Sequence, residues 1–300
     1  MATLRFVELE DVRLAYSETG TGDPIIFVHG AFSNHRFWAG QIADLAADYR
    51  CLAIDQRYCG NSWTEVRDTY SLSTHSKDLG LFISAVVGGP AHIVATSYGS
   101  AVALAWASSN PQSCASLFLN EPALVSLVTQ PEDTAVLRRA REDLAVVASA
   151  LSAGDAERAV ALFCDWTAFP GAFATMPPHI QAIFTDNART VALAFAAPPP
   201  KLGPSDLAPI NACHSLRGRT DNPLLLGAGP GCTSRVATVS SHPGSKRASH
   251  GPFRERPSLQ PCATSAPLGS APSCGLAPRS SGAPTLGGTL LAPWCANASN

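Results

Sequence analysis

No apolar run in the chain approaches the roughly 18–20 residues of a membrane span. The first residues, MATLRFVELEDVRLAY, are charged and alternating, without the hydrophobic centre of an export signal. The expectation is a soluble cytoplasmic protein with no membrane partner. Charge of either sign is scarce: charged residues make up 15% of the chain and the net charge is −2. That balance leaves no basic field for a nucleic-acid partner. The nine cysteines form no C-x-x-C pair or other zinc spacing, so no metal site is expected. Without an export signal, a disulfide framework is not expected either.

Other shortages are confined to one part of the chain. Residues 201–300 contain 3 acidic residues against 20 in residues 1–200, and no tyrosine. Their only aromatic residues are Phe253 and Trp294, and their only β-branched aliphatics are Ile210, Val236 and Val239. Thirteen prolines punctuate the same stretch. Such a composition cannot supply buried strands, and it reads as irregular or disordered. The chain therefore divides into a core over 1–124, a second unit over 125–200 and an irregular region over 201–300.

The first unit alternates strand and helix signals. Residues 4–9 and 12–17 read as a hairpin split by Glu10-Asp11. Ile25-Ile26-Phe27-Val28 and Cys51-Leu52-Ala53-Ile54 are continuous apolar runs, as in strands buried on both faces of a parallel sheet. Residues 35–48 and 71–87 have helical spacing. Ala91 to Ala95 reads as another buried strand, a helix follows from Ala101, and Leu117-Phe118-Leu119 is the next strand. The fold class predicted is α/β: a mostly parallel central sheet with helices on both faces.

Between the strand ending at Ala95 and the helix from Ala101 lies Ala95-Thr96-Ser97-Tyr98-Gly99. A serine on a sharp strand-to-helix turn, with small residues two positions either side, is the G-x-S-x-G nucleophile-elbow pattern with alanine in place of the first glycine. The turn lifts the Ser97 hydroxyl clear of the sheet and puts the Tyr98 N–H at a helix N-terminus, where partial positive charge stabilises an oxyanion. His29-Gly30, Asp55, Ser97 and Glu121 all fall at predicted strand ends, where ligands bind in parallel sheets.

Phe27-Val28-His29-Gly30 with Trp38 downstream, Asp55-x-Arg57-x-x-Gly60-x-Ser62 and the elbow at Ser97, in this order, resemble the α/β-hydrolase fold family over residues 1 to about 200. The resemblance implies an oxyanion hole from the backbone N–H groups of Ala31 and Tyr98, and structural roles for His29, Asp55 and Arg57. It also implies that helical segments at 131–153, 155–166 and 179–196 form an all-helical cap over the nucleophile. Phe169, Phe173 and Met176 lie in the loop best placed to face the substrate pocket, but for each of them burial in the cap's own core is the favoured reading.

A serine nucleophile needs a histidine base oriented by a carboxylate. The resemblance offers Glu121, after the strand that follows the elbow, or Asp221 beyond the cap. His250, in Ala248-Ser249-His250-Gly251, is the expected base, ahead of His214 and His242; His35, His75, His92 and His179 are expected to be solvated or structural. The reaction implied is hydrolysis of an ester, or a related acyl bond, of a small apolar substrate, with no cofactor. An aspartate at position 97 would indicate a dehalogenase or an epoxide hydrolase; serine argues against both. The alternative is a non-catalytic or defective homologue lacking a working histidine.

The break in composition suggests a shift of reading frame near residue 211. Back-translated with permitted codons and read one nucleotide later, residues 214–228 allow TPCVAERTTPYYSA and residues 256–264 allow APAFNRALL. These resemble the family's post-cap loop and closing helix. The first carries no aspartate, which favours Glu121 as the acid, whereas His250 exists only in the frame as given.

Overall fold

The structure, a computed structural model, describes residues 3–65, 69–124, 131–198, 202–207, 210 and 213–217. Seven strands form one sheet in the order β1-β2-β4-β3-β5-β6-β7. They are β1 (Thr3–Glu8), β2 (Arg13–Thr19), β3 (Asp23–Val28), β4 (Tyr49–Ile54), β5 (Ala91–Thr96), β6 (Cys114–Asn120) and β7 (Cys213–Arg217). The predicted hairpin is β1–β2, antiparallel, and β2 also runs antiparallel to β4. The strands from β4 to β7 are mutually parallel.

Period-two alternation assigns the apolar runs to two faces. Ile25 and Phe27 of β3, with Cys51 and Ala53 of β4, pack against Trp38 and Ile42 on one face. Ile42 belongs to α1 (Ala39–Leu45), which follows a 3-10 turn at His35–Trp38. Ile26, Val28, Leu52 and Ile54 point to the other face. There they meet Leu79 and Phe82 of α2 (Leu72–Phe82) and Val102 and Trp106 of α3 (Tyr98–Ser109). Each strand is thus buried twice, as its unbroken apolar sequence requires.

The path from β3 runs out to β4 on one side and returns to β5 on the other. Strand order reverses between β3 and β5, so a crevice opens at their carboxyl ends. His29-Gly30 leaves one side of that crevice and Ser97 the other.

Helices α4 (Pro131–Asp143), α5 (Ala145–Ser152), α6 (Ala156–Thr167), α7 (Ala172–Thr175), α8 (Pro178–Thr185) and α9 (Arg189–Ala196) follow β6. Two helices expected to be continuous are each divided. The 131–153 segment breaks at Leu144, where the charged sequence of α4 gives way to the apolar sequence of α5. The 179–196 segment breaks at 186–188, where side chains leave the helical path to hold the core. Asn187 Oδ1 accepts the Gly60 N–H at 2.7 Å, and Arg36 pairs with Asp186. Arg189 donates to the Gly60 carbonyl at 3.1 Å and lies over the Trp63 ring. Val147, Val160, Cys164, Phe184 and Val191 form the centre of the helical unit, and Phe32 of the β3 loop is buried among them.

After α10 (Pro204–Leu207), β7 adds a strand within the stretch expected to be irregular. Its pairing is a backbone interaction: β6 offers an edge whose N–H and C=O groups need partners, so the poor strand propensity of Cys-His-Ser-Leu-Arg matters less. Among the described residues, no helix is long and apolar enough to cross a membrane and no cluster of His, Cys, Asp and Glu could hold a metal ion.

Candidate active site

Ser97 occupies the junction of β5 and α3 with φ 50° and ψ −120°. That combination is sparsely populated for any residue with a Cβ and costs about 1–3 kcal/mol. The turn is stitched in from both sides: the Ser97 N–H donates to the Asn120 carbonyl at 2.9 Å, and the Ala123 N–H donates to the Ser97 carbonyl at 3.2 Å. Only glycine fits at position 99, because a Cβ there would stand 2.3 Å from the His29 carbonyl oxygen. Ala95, at the position of the pattern's first glycine, is fully buried and its methyl is accommodated.

Across the crevice, a Cβ on Gly30 would lie 3.4 Å from the Ser97 Cβ, so the His29-Gly30-Ala31 backbone faces the elbow directly. This loop is fixed by His29. Its buried ring donates from Nδ1 to the Gly30 carbonyl at 2.7 Å and accepts the Gln56 N–H at Nε2 at 3.0 Å. Desolvation lowers the His29 pKa to about 4, so the ring is neutral and holds this tautomer. The amides at the start of α3, with Tyr98 first, have no partner within the helix by geometry.

The expected structural residues are engaged as such. Asp55 Oδ1 accepts from the His35 N–H and pairs with His35 Nδ1, both at 2.7 Å, and Oδ2 accepts the Asn61 N–H at 2.8 Å. Burial alone would raise the Asp55 carboxyl, but these bonds from His35 and Asn61 hold it below its ordinary value. A Cβ on Gly60 would stand 2.4 Å from that carboxylate. Arg57 bridges Asp78 and Asp11 beneath the sheet edge.

His75 has a role that its sequence context does not announce. Its Nδ1 lies 2.8 Å from the Tyr98 hydroxyl in a hydrogen bond, and Tyr70 stacks on Tyr98 from beside it. Burial lowers the His75 pKa to about 3 and pushes the Tyr98 phenol upward, so both stay neutral. The residue after Ser97 is thereby anchored at its far end.

Above Ser97 a pocket holds about 750 Å³ of space, part of it continuous with solvent. Phe37 and Trp38 from the core and Phe163, Cys164, Thr167 and Phe184 from the helical unit line it, together with Gly30, Ala31, Ser33 and Asn120. The pocket is thus roofed by α6 and α8. Phe169, Phe173 and Met176 are not among its lining residues: Phe173 and Met176 pack in the centre of the helical unit, because α7 turns them inward. The wall residues Phe163 and Thr167 stand at i, i+4 on α6 and so share one helix face, a spacing visible in the sequence.

Glu121 follows β6, is buried (6% exposed) and has φ 48°. Its neighbours Asn120 and Ala123 make the bonds to Ser97 described above, so Glu121 sits on the loop that clamps the elbow. His250, His242 and Asp221 lie outside the described residues, as does the side chain of His214 in β7. Among the described residues no histidine is hydrogen-bonded to Ser97. His29, His35, His75 and His92 are bonded elsewhere, His92 to Ser116, and His179 is exposed on α8.

A mostly parallel sheet wound in two directions from β3, with a strained serine on the strand-to-helix turn at its switch point, defines a class of doubly wound α/β proteins. The family model described as the alpha/beta hydrolase fold matches residues 23–196, and this chain belongs to that family. It is 36% identical over 94 residues to a non-heme bromoperoxidase of Mycobacterium tuberculosis (31% of this chain, 35% of that protein). Over 111 residues it is 33% identical to epoxide hydrolase 1 of Caenorhabditis elegans (36% of this chain, 28% of that protein). Over 107 residues it is 30% identical to a haloalkane dehalogenase of Sphingobium indicum (34% of this chain, 36% of that protein). The chain spans about a third of the length of these curated relatives.

Proposed function

We propose that the protein is a serine hydrolase that cleaves an ester, or a related acyl bond, of a small and largely apolar substrate. The observation that carries this reading is the conformation of Ser97: a strained turn at the sheet's switch point, on the floor of a pocket walled by Phe37, Trp38, Phe163 and Phe184. Strain of this kind persists where the surroundings enforce it, and it is a recognised mark of functional positions. Serine at 97 also separates this chain from the aspartate chemistry that the resemblance associates with epoxide hydrolases and dehalogenases.

In the proposed reaction the Ser97 hydroxyl attacks the substrate carbonyl as a histidine takes its proton. Negative charge develops on the carbonyl oxygen, against the N–H groups of Ala31 and Tyr98. Collapse of the tetrahedral species expels the alcohol, which receives the proton from the histidine, and leaves an acyl group on Ser97. Water, activated by the same base, releases the acid. Glu121 is the proposed orienting carboxylate and His250 the proposed base. The pocket's aromatic walls favour an apolar acyl or alcohol group.

One observation favours a second reading, a homologue that binds ligands without turnover: every described histidine side chain is committed elsewhere or exposed away from Ser97. Labelling with a fluorophosphonate probe separates the two. A serine hydrolase is labelled covalently at Ser97, loses labelling in Ser97→Ala and turns over p-nitrophenyl acetate. Absence of both labelling and turnover in the full chain refutes the catalytic reading.

A further inference from the structure

Ser33 lies on the same loop as Ala31, lines the pocket above Ser97 and is 2% exposed, yet its Oγ has no hydrogen-bond partner. Two threonines on the pocket wall are engaged in hydrogen bonds. Thr167 donates to the Cys164 carbonyl at 2.9 Å, and Thr96 accepts from Asn120 at 3.3 Å. A buried hydroxyl without a partner is exceptional in a folded protein, since taking it from water without replacing its bond is costly. It stands two positions along the chain from Ala31, a reach of at most about 7 Å between their Cα atoms.

We propose that Ser33 is a specificity-determining residue: its hydroxyl completes its hydrogen bond on an oxygen carried by the substrate close to the reacting carbonyl, so that the preferred substrate is an acyl ester oxygenated near that carbonyl, such as a 3-hydroxyacyl ester. This rests on the serine-hydrolase reading only in taking the acyl carbonyl to lie against Ala31. The aromatic walls take the hydrocarbon part of such a molecule, and Ser33 is the polar point within them. Without an oxygen opposite it the hydroxyl stays unbonded, so a plain acyl chain forfeits the gain. This is the asymmetry by which polar groups in a pocket discriminate between substrates.

The experiment is a comparison of ligand binding to the full-length Ser97→Ala chain, which needs no working nucleophile. Ethyl hexanoate and ethyl 3-hydroxyhexanoate are titrated by ligand-observed NMR. The hydroxylated ester is expected to bind about fivefold to tenfold more tightly, the upper part of the range one charge-free hydrogen bond supplies. In Ser33→Ala/Ser97→Ala the preference falls below about twofold, the plain ester binding unchanged, and Ser33→Thr, which keeps a hydroxyl, retains it. Equal affinity for the two esters, a preference that survives Ser33→Ala, or an equal loss for both esters overturns the proposal; the last would place Ser33 at the carbonyl itself. Fluorophosphonate labelling of the chain with Ser97 intact stands apart. Labelling without ester discrimination refutes the role of Ser33 alone, and discrimination without labelling refutes the catalytic reading alone.

Discussion

Replacing Ser97 by glycine should stabilise the protein while removing its proposed nucleophile. At φ 50° and ψ −120° a residue with a Cβ is strained by about 1–3 kcal/mol, whereas glycine reaches this region without penalty. Glycine also enlarges the entropy of the unfolded chain, which offsets about 0.5–1 kcal/mol of the gain. The informative comparison is with Ser97→Ala, which removes the same hydroxyl but keeps the Cβ and its strain. Ser97→Gly should then be about 1–2 kcal/mol more stable than Ser97→Ala. For a folded unit of roughly this size that is a rise of about 2–8 °C in Tm. Urea unfolding and thermal melts of both full-length variants measure the difference, and fluorophosphonate labelling should be absent from both. If the glycine variant is no more stable than the alanine variant, the elbow stores no strain and the main support for a functional Ser97 falls.

Acid should weaken the fold through two buried histidines. His29 and His75 have folded pKa values of about 4 and about 3, below the ordinary 6.5, so the unfolded chain takes up protons that the folded chain refuses. Stability is full above pH ~6.5 and falls by up to about 1.4 kcal/mol per pH unit for each ring as pH drops toward 4. Urea midpoints from pH 7 to pH 5 should fall steadily, with about half the slope in His75→Phe; a flat profile would show that neither ring is buried and neutral. For the reading frame, we expect the nucleotide sequence to encode TPCVAERTTPYYSA and APAFNRALL one nucleotide out of frame at residues 214–228 and 256–264. Codons that cannot yield those peptides would rule the shift out.

Much of the sheet was legible because its strands are buried on both faces. Ile25 to Val28 and Cys51 to Ile54 leave no polar alternative, so unbroken apolar runs identify them. The elbow was legible for a different reason: Gly99 is imposed by contact with the backbone itself, the His29 carbonyl beside it. The breaks at Leu144 and at 186–188 were not legible. At the second, Asn187 accepts a hydrogen bond from Gly60, more than a hundred residues away in sequence, a contact that local sequence does not announce. The pocket wall was not legible because an amphipathic helix shows which face is apolar but not what that face meets. Phe163 and Phe173 look alike in sequence; one faces the pocket and the other is packed away.

The backbone carries a pattern that side-chain identity hides. The non-glycine residues with positive φ among those described are Phe32, Tyr58, Ser97 and Glu121. They follow β3, β4, β5 and β6 respectively, so each parallel strand from β3 to β6 ends in one strained residue at the same edge of the sheet. None of the four is a residue type that favours this conformation, and local sequence therefore gives no warning of it. The strain is enforced by the loops' shared work: Phe32 enters the centre of the helical unit, and Glu121 lies on the loop whose carbonyl and amide grip Ser97. β7 extends the same edge, since its last residue, Arg217, is in register with Asn120. The chain leaves β7 at the end of the sheet where Ser97 and Glu121 stand. A base from beyond residue 217, in either reading frame, sets out from that edge. The proposed catalytic role of Ser97 therefore turns on which residues follow β7.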